Sequence, residues 1–400
     1  MPTHHTRRVG GTSGGGGTPP PDGRLTLAQR EALDVTYGEG QWFPTHDRVG
    51  LLPGWTPQAA PNGQQWTHVY STSMVTLPVG LTENTIYWCS TQPPSSSFGG
   101  ATLRNCILTG QDPDTIPSQV ATPDQDGWPA GTDLSSRTYL YHTGTYCLYP
   151  ALGGRARVEM YDSLMDRGLW YDATMNAARA AAGVPNTAAR TQNMNWQLRS
   201  TAGVHGGNFI VKRCVVRNNQ DHFHLAQQGD IALDRITRIV SNIIEEPIWF
   251  DPQGDVTLHT QPEGPHSDDI QFSYTKHGKI LGNWLVVGHN AGMMIQSENA
   301  THGIEDLEVA YNIFDFNPAG TSNYGVNMTN KNGEEFVGDT FHDNAFLPNP
   351  NPAKTNGGHA IVNTSLMSKW QDGTNRLATW NVVGESVTLG AAISVKNGGA

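Results

Sequence analysis

Short hydrophobic runs interrupted by one polar residue recur along the chain. In the commonest form, an asparagine at the end of one apolar strand-like run precedes a second run; the copies lie at Asn105, Asn242, Asn283, Asn312 and Asn381. Looser copies place the marked position at Arg213 and Asp339. From 213 onward the steps are 29, 41, 29, 27 and 42 residues. Steps of 27–29 residues indicate a repeating structural unit, and the longer steps add a loop.

A second family of apolar–polar pairs alternates with the first. It begins at Phe223, Ile248, Ile270, Ile295, Val326 and Ile361. Each repeat therefore contains at least two short strands separated by a bend, and each strand pairs in parallel with its copy in the next repeat. We predict an all-β chain, a right-handed parallel β-helix, from about residue 76 to 400, with a small helical insertion at about 165–205.

The asparagine column has a physical explanation in this fold. A bend between strands needs a left-handed backbone, which asparagine and glycine tolerate best. We therefore expect Asn105, Asn242, Asn283, Asn312 and Asn381 to stack at one bend, while Arg213 fits poorly there. Cys106 and Cys214 follow the bend at equivalent positions, so we expect reduced thiols packed in the core.

The N-terminal part has a different composition. Residues 1–24 are rich in glycine and proline and predict a flexible arm. Residues 25–75 predict an anchoring and capping segment with a short helix at Leu25–Asp34. Its Trp42, Trp55 and Trp66 are costly to leave in water, so we expect them to contact another chain. A second helix is predicted at Ala173–Gly183, inside the insertion.

Composition excludes several classes of function. The net charge is −11, which disfavours nucleic acid as a partner. No apolar run approaches 18 residues, so no membrane span is predicted. The N-terminal stretch lacks the apolar core of a secretory signal, and we expect synthesis in a cytoplasm without ordinary export.

The phrase His266-Ser267-Asp268-Asp269-Ile270-Gln271 resembles the H-S-D-G-I-Q phrase of right-handed β-helix proteins of the pectate-lyase-like superfamily, with Asp269 at the family's glycine. That superfamily includes polysaccharide lyases, hydrolases and phage tail proteins. With the Gly/Pro-rich arm, the chain resembles minor tail proteins of tailed phages, especially those of actinobacterial hosts. The resemblance implies a virion location and a contact with host cell-surface polysaccharide. It also implies other tail proteins as partners of the N-terminal segment, in a homotrimer or ring-docked multimer.

Strand alternation predicts which residues would meet a glycan. If Ile270 and its equivalents point inward, their neighbours form an exposed strip about 20 Å long, counting four strand steps. The candidate glycan-binding residues are His222, His224, Trp249, Asp269, Gln271 and Gln296. Trp249 offers a flat apolar face to a sugar ring, and amides and imidazoles bond its hydroxyls. Equally, Trp249 would cover a loop or the insertion.

A glycan-degrading depolymerase on the same scaffold is the alternative function. A hydrolase needs two carboxylates across the sugar. Asp269 with Glu246 or Glu245 is a better pair than the adjacent Asp268 and Asp269. A lyase needs a base, for which Lys276, Lys279 and Arg217 are available, although none is in the outward register beside the aspartates. No cofactor is expected; calcium is the weak metal candidate, with Asp251, Asp255 and Asp268 as ligands. A solvated polar loop explains the same residues, and the sequence leaves open whether the chain is an enzyme.

Overall fold

The computed structural model describes part of the chain. It covers residues 23–54, 66–70, 75–88, 91–92, 100–109, 140–141, 158–166, 183, 198–199, 202–206, 209–217, 221–226, 237–245, 268–287, 291–297, 304–316, 324–330, 336–349, 371, 373–381 and 386–393. The predicted helix at 173–183 therefore lies almost wholly outside the described residues, as does Trp55.

Eleven strands form a sheet that we call sheet 1. In spatial order they are β1 (Thr67–Tyr70), β4 (Thr85–Trp88), β7 (Ile107–Thr109), β10 (Leu164–Asp166), β14 (Val215–Arg217), β17 (Ile243–Ile244), β19 (Trp284–Val287), β22 (Ile313–Phe316), β26 (Ala345–Phe346), β27 (Arg376–Asn381) and β28 (Ser386–Ala392). Neighbours pair in parallel, except that β27 and β28 are antiparallel.

Thirteen strands form sheet 2, which has two arms joined at the long strand β18. The first arm holds β3 (Gly80–Glu83), β6 (Ala101–Arg104), β9 (Val158–Tyr161), β13 (Phe209–Lys212), β16 (Thr237–Val240), β18 (Asp268–Leu281), β21 (Ile304–Ala310), β24 (Phe336–Val337) and β25 (Thr340–His342). The second arm holds β12 (Ala202–Gly206), β15 (Asp221–Ala226), β18, β20 (Ala291–Ser297) and β23 (Tyr324–Asn330). Two small pairs are β2 (Val75–Thr76) with β5 (Thr91–Gln92), and β8 (Leu140–Tyr141) with β11 (Leu198–Arg199).

The chain runs through the first arm of sheet 2, sheet 1 and the second arm of sheet 2 in a fixed order. The chain passes from β13 to β14 to β15, and then from β16 to β17 to the start of β18; each strand pairs in parallel with its counterpart one group later. The sheets enclose one apolar core, in which Phe314 stacks on Phe346 with ring centroids 4.5 Å apart. The prediction of an all-β chain with parallel sheets is confirmed. Paired strands begin at Thr67, inside the segment predicted as an N-terminal anchor.

A left-handed residue marks the bend between the first arm of sheet 2 and sheet 1. Its φ lies between 47° and 64° in eight repeats: Asn84, Asn105, Asp162, Arg213, Ser241, Gly282, Tyr311 and Asp343. Asparagine, aspartate and glycine occupy this conformation easily, whereas Arg213 and Tyr311 cost roughly 1–2 kcal/mol each. The expectation that Arg213 fits the bend poorly is therefore only half right, since it adopts the conformation despite the cost.

The residue that follows the bend points inward. Five inward-pointing asparagines are joined by side-chain hydrogen bonds, and we call this set the asparagine ladder: Asn242, Asn283, Asn312, Asn344 and Asn375. The Nδ2 of each of the first four donates to the Oδ1 of the next at 2.8–3.0 Å. Each Oδ1 also accepts from the backbone N–H of the preceding member at 3.0–3.1 Å. The ladder thus satisfies buried polar groups that a bend between sheets would otherwise leave unpaired.

The predicted column is confirmed for Asn242, Asn283 and Asn312 and wrong for the other two. Asn105 occupies the left-handed position itself, one residue early. Asn381 ends β27, where it pairs with Ser386 of β28. Asp339 belongs to a different bend, where its Oδ1 accepts from the Leu307 N–H at 2.8 Å. Asn242, Asn283 and Asn312 therefore serve through side-chain hydrogen bonds, whereas Asn105 alone of the predicted five has the left-handed backbone that was expected.

Cys106 and Cys214 continue the ladder column toward the N-terminal end. The Cys214 N–H donates to Asn242 Oδ1 at 2.8 Å, and the Cys106 N–H donates to Ser163 Oγ at 3.0 Å. Both thiols are buried and free. Burial raises the pKa of Cys106 to about 12 and raises that of Cys214 further. The prediction of reduced, inert core thiols is confirmed for these two.

An N-terminal segment that we call the strap, residues 24–54, lies on the outside of sheet 1. It begins with helix α1 (Leu27–Tyr37), capped by Thr26, whose side chain accepts from the Gln29 N–H. The predicted helix is confirmed, although it begins and ends two to three residues later than expected. In the described ranges, no helix is long and apolar enough to cross a bilayer.

Charges hold α1 against the bend. Asp162 is fully buried and accepts from Arg30 Nη1 at 3.1 Å and from Arg213 Nη2 at 2.9 Å. Asp34 of the helix binds Lys212 Nζ at 2.8 Å and Arg213 at 3.3 Å. Arg213 therefore joins the bend to the strap, and this network supplies the attraction that offsets its left-handed backbone.

The strap changes the interpretation of the N-terminal tryptophans. Trp42 is buried against Val215 and Ile243 of sheet 1, and its Nε1 donates to Asp34 Oδ1 at 2.8 Å. Trp66 is half-buried beside Trp88. The argument that Trp42 requires another chain is wrong, because this chain covers it. The segment runs along a sheet and does not simply cap its first turn.

We predict that replacing Asn283 with alanine destabilises the fold by about 3–5 kcal/mol, because Asn242, Asn312 and the Ile239 carbonyl lose buried partners. Asn327→Ala is the matched control on an outward position of β23 and should cost about 1 kcal/mol or less. Urea unfolding followed by tryptophan fluorescence measures both. Equal losses in the two variants would show that the ladder does not hold the bend.

Candidate carbohydrate-binding face

The second arm of sheet 2 lines up one residue from each of five strands. The register pairs His205 with His224, His224 with Gln271, Gln271 with Met294, and Met294 with Asn327. We call this line the outer column. At about 4.8 Å per strand it is roughly 19 Å long, close to the predicted length.

Alternation along the strands sets the direction of the outer column. Ile270, Met293 and Val326 are buried in the core, one residue before the column in their strands. Gln271, Met294 and Asn327 are half-buried and reach the outside. The predicted outward position of Gln271 is confirmed. The side chains of His224 and Gln296 lie outside the described part of the structure.

Two of the glycan-binding candidates are buried and not exposed as predicted. His222 and Asp269 are both 0% exposed. His222 of β15 and Asp269 of β18 are neighbours across the sheet, each one residue before a core residue (Phe223 and Ile270). The same position is occupied by Gly292 in β20 and by Gly325 in β23.

That column faces the core at the point where the strands begin. A Cβ at Gly292 would lie 2.9 Å from the ring of Phe314, and one at Gly325 would lie 2.9 Å from the ring of Phe346. Burial is therefore continuous from Asp268 to Ile270, and strict alternation starts only after the corner. A carboxylate enclosed there cannot reach a polysaccharide, so Asp269 loses its proposed role in both binding and catalysis.

Gln296 belongs to a different column from the predicted one. Ile295 pairs with Phe272, two residues beyond Ile270, and Gln296 pairs with Thr329. The two Ile-Gln phrases that look equivalent in the sequence are thus offset by two residues in the sheet register. Met294 takes the place beside Gln271 that had been assigned to Gln296.

The remaining candidates give no metal or catalytic centre within the described ranges. Trp249, Glu246, Asp251 and Asp255 lie outside them, so their roles stay predictions. Asp268 is buried. No group of three or more potential metal-binding side chains occurs among the described residues.

Buried His222 is a structural imidazole. Its Nε2 donates to the Glu245 carbonyl oxygen at 2.5 Å, and burial lowers its pKa to about 3. It is therefore neutral at physiological pH and too weak a base for proton transfer there. The ring instead ties the start of β15 to the end of β17.

Two of the three candidate lyase bases, Arg217 and Lys279, are engaged in ion pairs, and the side chain of Lys276 lies outside the described part of the structure. Arg217 Nε lies 2.5 Å from Asp166 and its Nη1 lies 3.5 Å from Glu245. Burial alone would lower the pKa of Arg217, but the two carboxylates outweigh it and raise the pKa. Lys279 pairs with Glu308 at 2.9 Å. Neither residue suits general-base catalysis in this arrangement.

Sequence reasoning missed an aromatic cluster on the outside of sheet 1. Phe43 stacks on Trp284 at 5.5 Å, and Trp380 meets Trp284 edge-on at 5.1 Å. Trp284 Nε1 donates to Asp315 Oδ2 at 3.0 Å; burial raises the pKa of Asp315, and hydrogen bonds from Trp284 and Trp380 oppose the shift. In the sequence, this cluster is indicated only by the position of Trp284 directly after a ladder asparagine. Because that asparagine points inward, the next residue lies on the outer face of sheet 1.

Neutral His222 makes stability depend on pH. Its pKa is about 3 in the folded state and about 6.5 in a free imidazole. The contribution of the neutral imidazole to the free energy of unfolding is complete above pH 6.5. It is lost as the pH falls toward 3, at up to about 1.4 kcal/mol per pH unit. We predict that wild type loses about 2 kcal/mol more than His222→Gln between pH 7 and pH 5 in urea unfolding. Parallel curves would contradict a neutral buried imidazole.

Comparison with known proteins yields no relative for this chain. No protein-family model, no curated protein and no solved structure matches it. The likeness of residues 266–271 to a pectate-lyase-like phrase therefore remains a resemblance.

Proposed function

We propose that this chain is a minor tail protein of a tailed bacteriophage, in which the strands form a right-handed parallel β-helix that contacts a host cell-surface glycan. The observation that carries the proposal is the parallel register of β15, β18, β20 and β23. That register sets Gln271, Met294 and Asn327 in one outward line.

The chemistry of the outer column suits a neutral polymer contact. The amides of Gln271 and Asn327 donate and accept hydrogen bonds, and Met294 adds an adaptable apolar surface between them. A polysaccharide lying along the column meets one side chain at each strand step of about 4.8 Å. Shallow, half-buried groups of this kind favour contacts of modest strength that multiply along the polymer.

The position of Arg24, where the strap begins, supports attachment through one end of sheet 1. Arg24 Nη1 donates to the Leu51 carbonyl oxygen at 3.3 Å, and Leu51 packs against Ile86 and Ile107. These belong to β4 and β7, which are among the first strands of sheet 1. Residue 24 therefore lies near that end of sheet 1, and we propose that other tail proteins hold the chain there.

Binding without cleavage is the preferred form of this proposal. A depolymerase would need two opposed carboxylates. Asp269 is buried; of its two suggested partners, Glu246 lies outside the described residues and Glu245 pairs with Arg217. No described observation favours the enzyme over the binding protein, so we treat cleavage as an outcome of the test.

The first experiment tests the virion location. Antibody to the recombinant chain is applied to washed particles of the phage that encodes it, and gold label is imaged by electron microscopy. We expect label on the tail. Washed particles that contain no copy of the chain by mass spectrometry would overturn the virion assignment and leave the binding question open.

The second experiment tests the outer column with purified host envelope glycan. We expect Gln271→Ala and Asn327→Ala each to weaken retention about fivefold, the equivalent of roughly 1 kcal/mol for one hydrogen bond near water. Gln371→Ala removes the same side chain from an exposed site before β27 and should retain full binding. Unchanged retention in both column variants would contradict glycan binding by the outer column. Shortened glycan chains would favour the depolymerase.

A further inference from the structure

The strap covers a continuous apolar column on the outside of sheet 1. One residue from each of six successive strands forms it, namely Leu164, Val215, Ile243, Trp284, Ile313 and Ala345, in one parallel register. Val215, Ile243, Ile313 and Ala345 are buried. Their burial depends on the strap, because Trp42 and Val49 pack on the first part of the column and Phe43 packs on the last part.

The strap also connects the two ends of sheet 1. Leu51 packs against Ile86 and Ile107, near the first strands. Phe43 packs against Ala378 and Val387 of the closing β27–β28 pair. The surface that receives the strap is therefore complete only after the last strands have formed.

The packing of the strap is separate from the main core. Its buried apolar residues Trp42, Phe43, Val49 and Leu51 belong to three small clusters outside the core that the two sheets enclose. No member of the asparagine ladder is bonded to the strap through its side chain. Segments attached in this way open locally at a lower free energy than the global core.

Complementary charges specify where the strap docks. The strap carries Arg30, Asp34 and Glu39, and the body presents Asp162, Lys212, Arg213 and Arg238 opposite them. The contacts include Arg30–Asp162 at 3.1 Å and Lys212–Glu39 at 2.8 Å, and Arg238 also pairs with Glu39. A foreign apolar segment would deprive Lys212, Arg213 and Arg238 of their carboxylate partners on the strap and would leave Asp162 with Arg213 alone. The best-matched occupant of this surface is therefore a strap.

We propose that the strap is exchanged between two copies of this chain, so that the strap of one copy covers the apolar column of the other. An opened chain exposes a long apolar strip that must be covered again. A second copy supplies the same apolar residues and the same charges, and reciprocal exchange closes without leaving a free surface. Eleven residues, 55–65, separate the strap from the next described residue, and a chain of that length spans at most about 36–40 Å.

A designed cross-link distinguishes the two arrangements. A Cβ at Gly50 would lie 3.7 Å from the Val215 Cβ, within the range for a disulfide. The Gly50→Cys/Val215→Cys chain, oxidised when dilute, should give a cross-linked monomer. Held at high concentration in urea below the main unfolding transition, returned to buffer and then oxidised, it should give covalent dimers. Cross-linked monomer alone after this treatment would overturn the proposal.

Two matched variants, made in the chain that carries both engineered cysteines, show whether dimers form through opening of the strap or through global unfolding. Arg30→Ala removes the strap's contact with Asp162 and should raise the yield of covalent dimer at least about tenfold. Asn283→Ala weakens the ladder without touching the strap and should not raise it. If both variants raised the yield equally, the dimer would arise from global unfolding and strap exchange would be rejected.

Cysteine at Gly50 must adopt a φ of +76°, which is strained for any side chain. The unmutated chain therefore provides a second measurement. Copies carrying two different fluorophores at residue 400 are mixed, treated with the same urea step and returned to buffer. Energy transfer together with a dimer mass in light scattering supports exchange, and a monomer mass without energy transfer overturns it.

Discussion

The bend between the two sheets is the constraint on which the rest of the structure depends. Parallel strands that turn sharply leave buried N–H and C=O groups without sheet partners. Asn242, Asn283 and Asn312 meet this need with side-chain amides that bond to one another and to the neighbouring backbone. Because each amide must meet the next, the ladder fixes the register of successive repeats, and the register decides which side chains face outward.

The strap and the outer column both follow from that register. On sheet 1 it brings Val215, Ile243 and Trp284 into one apolar line that the N-terminal segment covers. On the second arm of sheet 2 it brings Gln271, Met294 and Asn327 into one polar line that stays accessible. A one-residue slip would reverse both faces. The same internal hydrogen bonds therefore determine the stability of the fold and the surface available for recognition.

Sequence patterns revealed the repeat because an asparagine between apolar residues is conspicuous. They missed Asn344 and Asn375, whose flanking residues are partly polar. Alternation placed Gln271 correctly but failed for Asp269, since the direction of that column depends on Gly292, Gly325 and two phenyl rings contributed by other repeats. The Arg30–Asp162 pair joins residues 132 positions apart, and no local pattern predicts such a contact.

The most direct test of this account is an experimental density map of the full chain at about 2 Å resolution. The account predicts that Asn242, Asn283, Asn312, Asn344 and Asn375 stack in one line, with each Nδ2 about 3 Å from the next Oδ1. Gln271, Met294 and Asn327 should share one outward line on the second arm of sheet 2. A map with these asparagines on different faces, or with Asp269 in solvent beside Gln271, would contradict it.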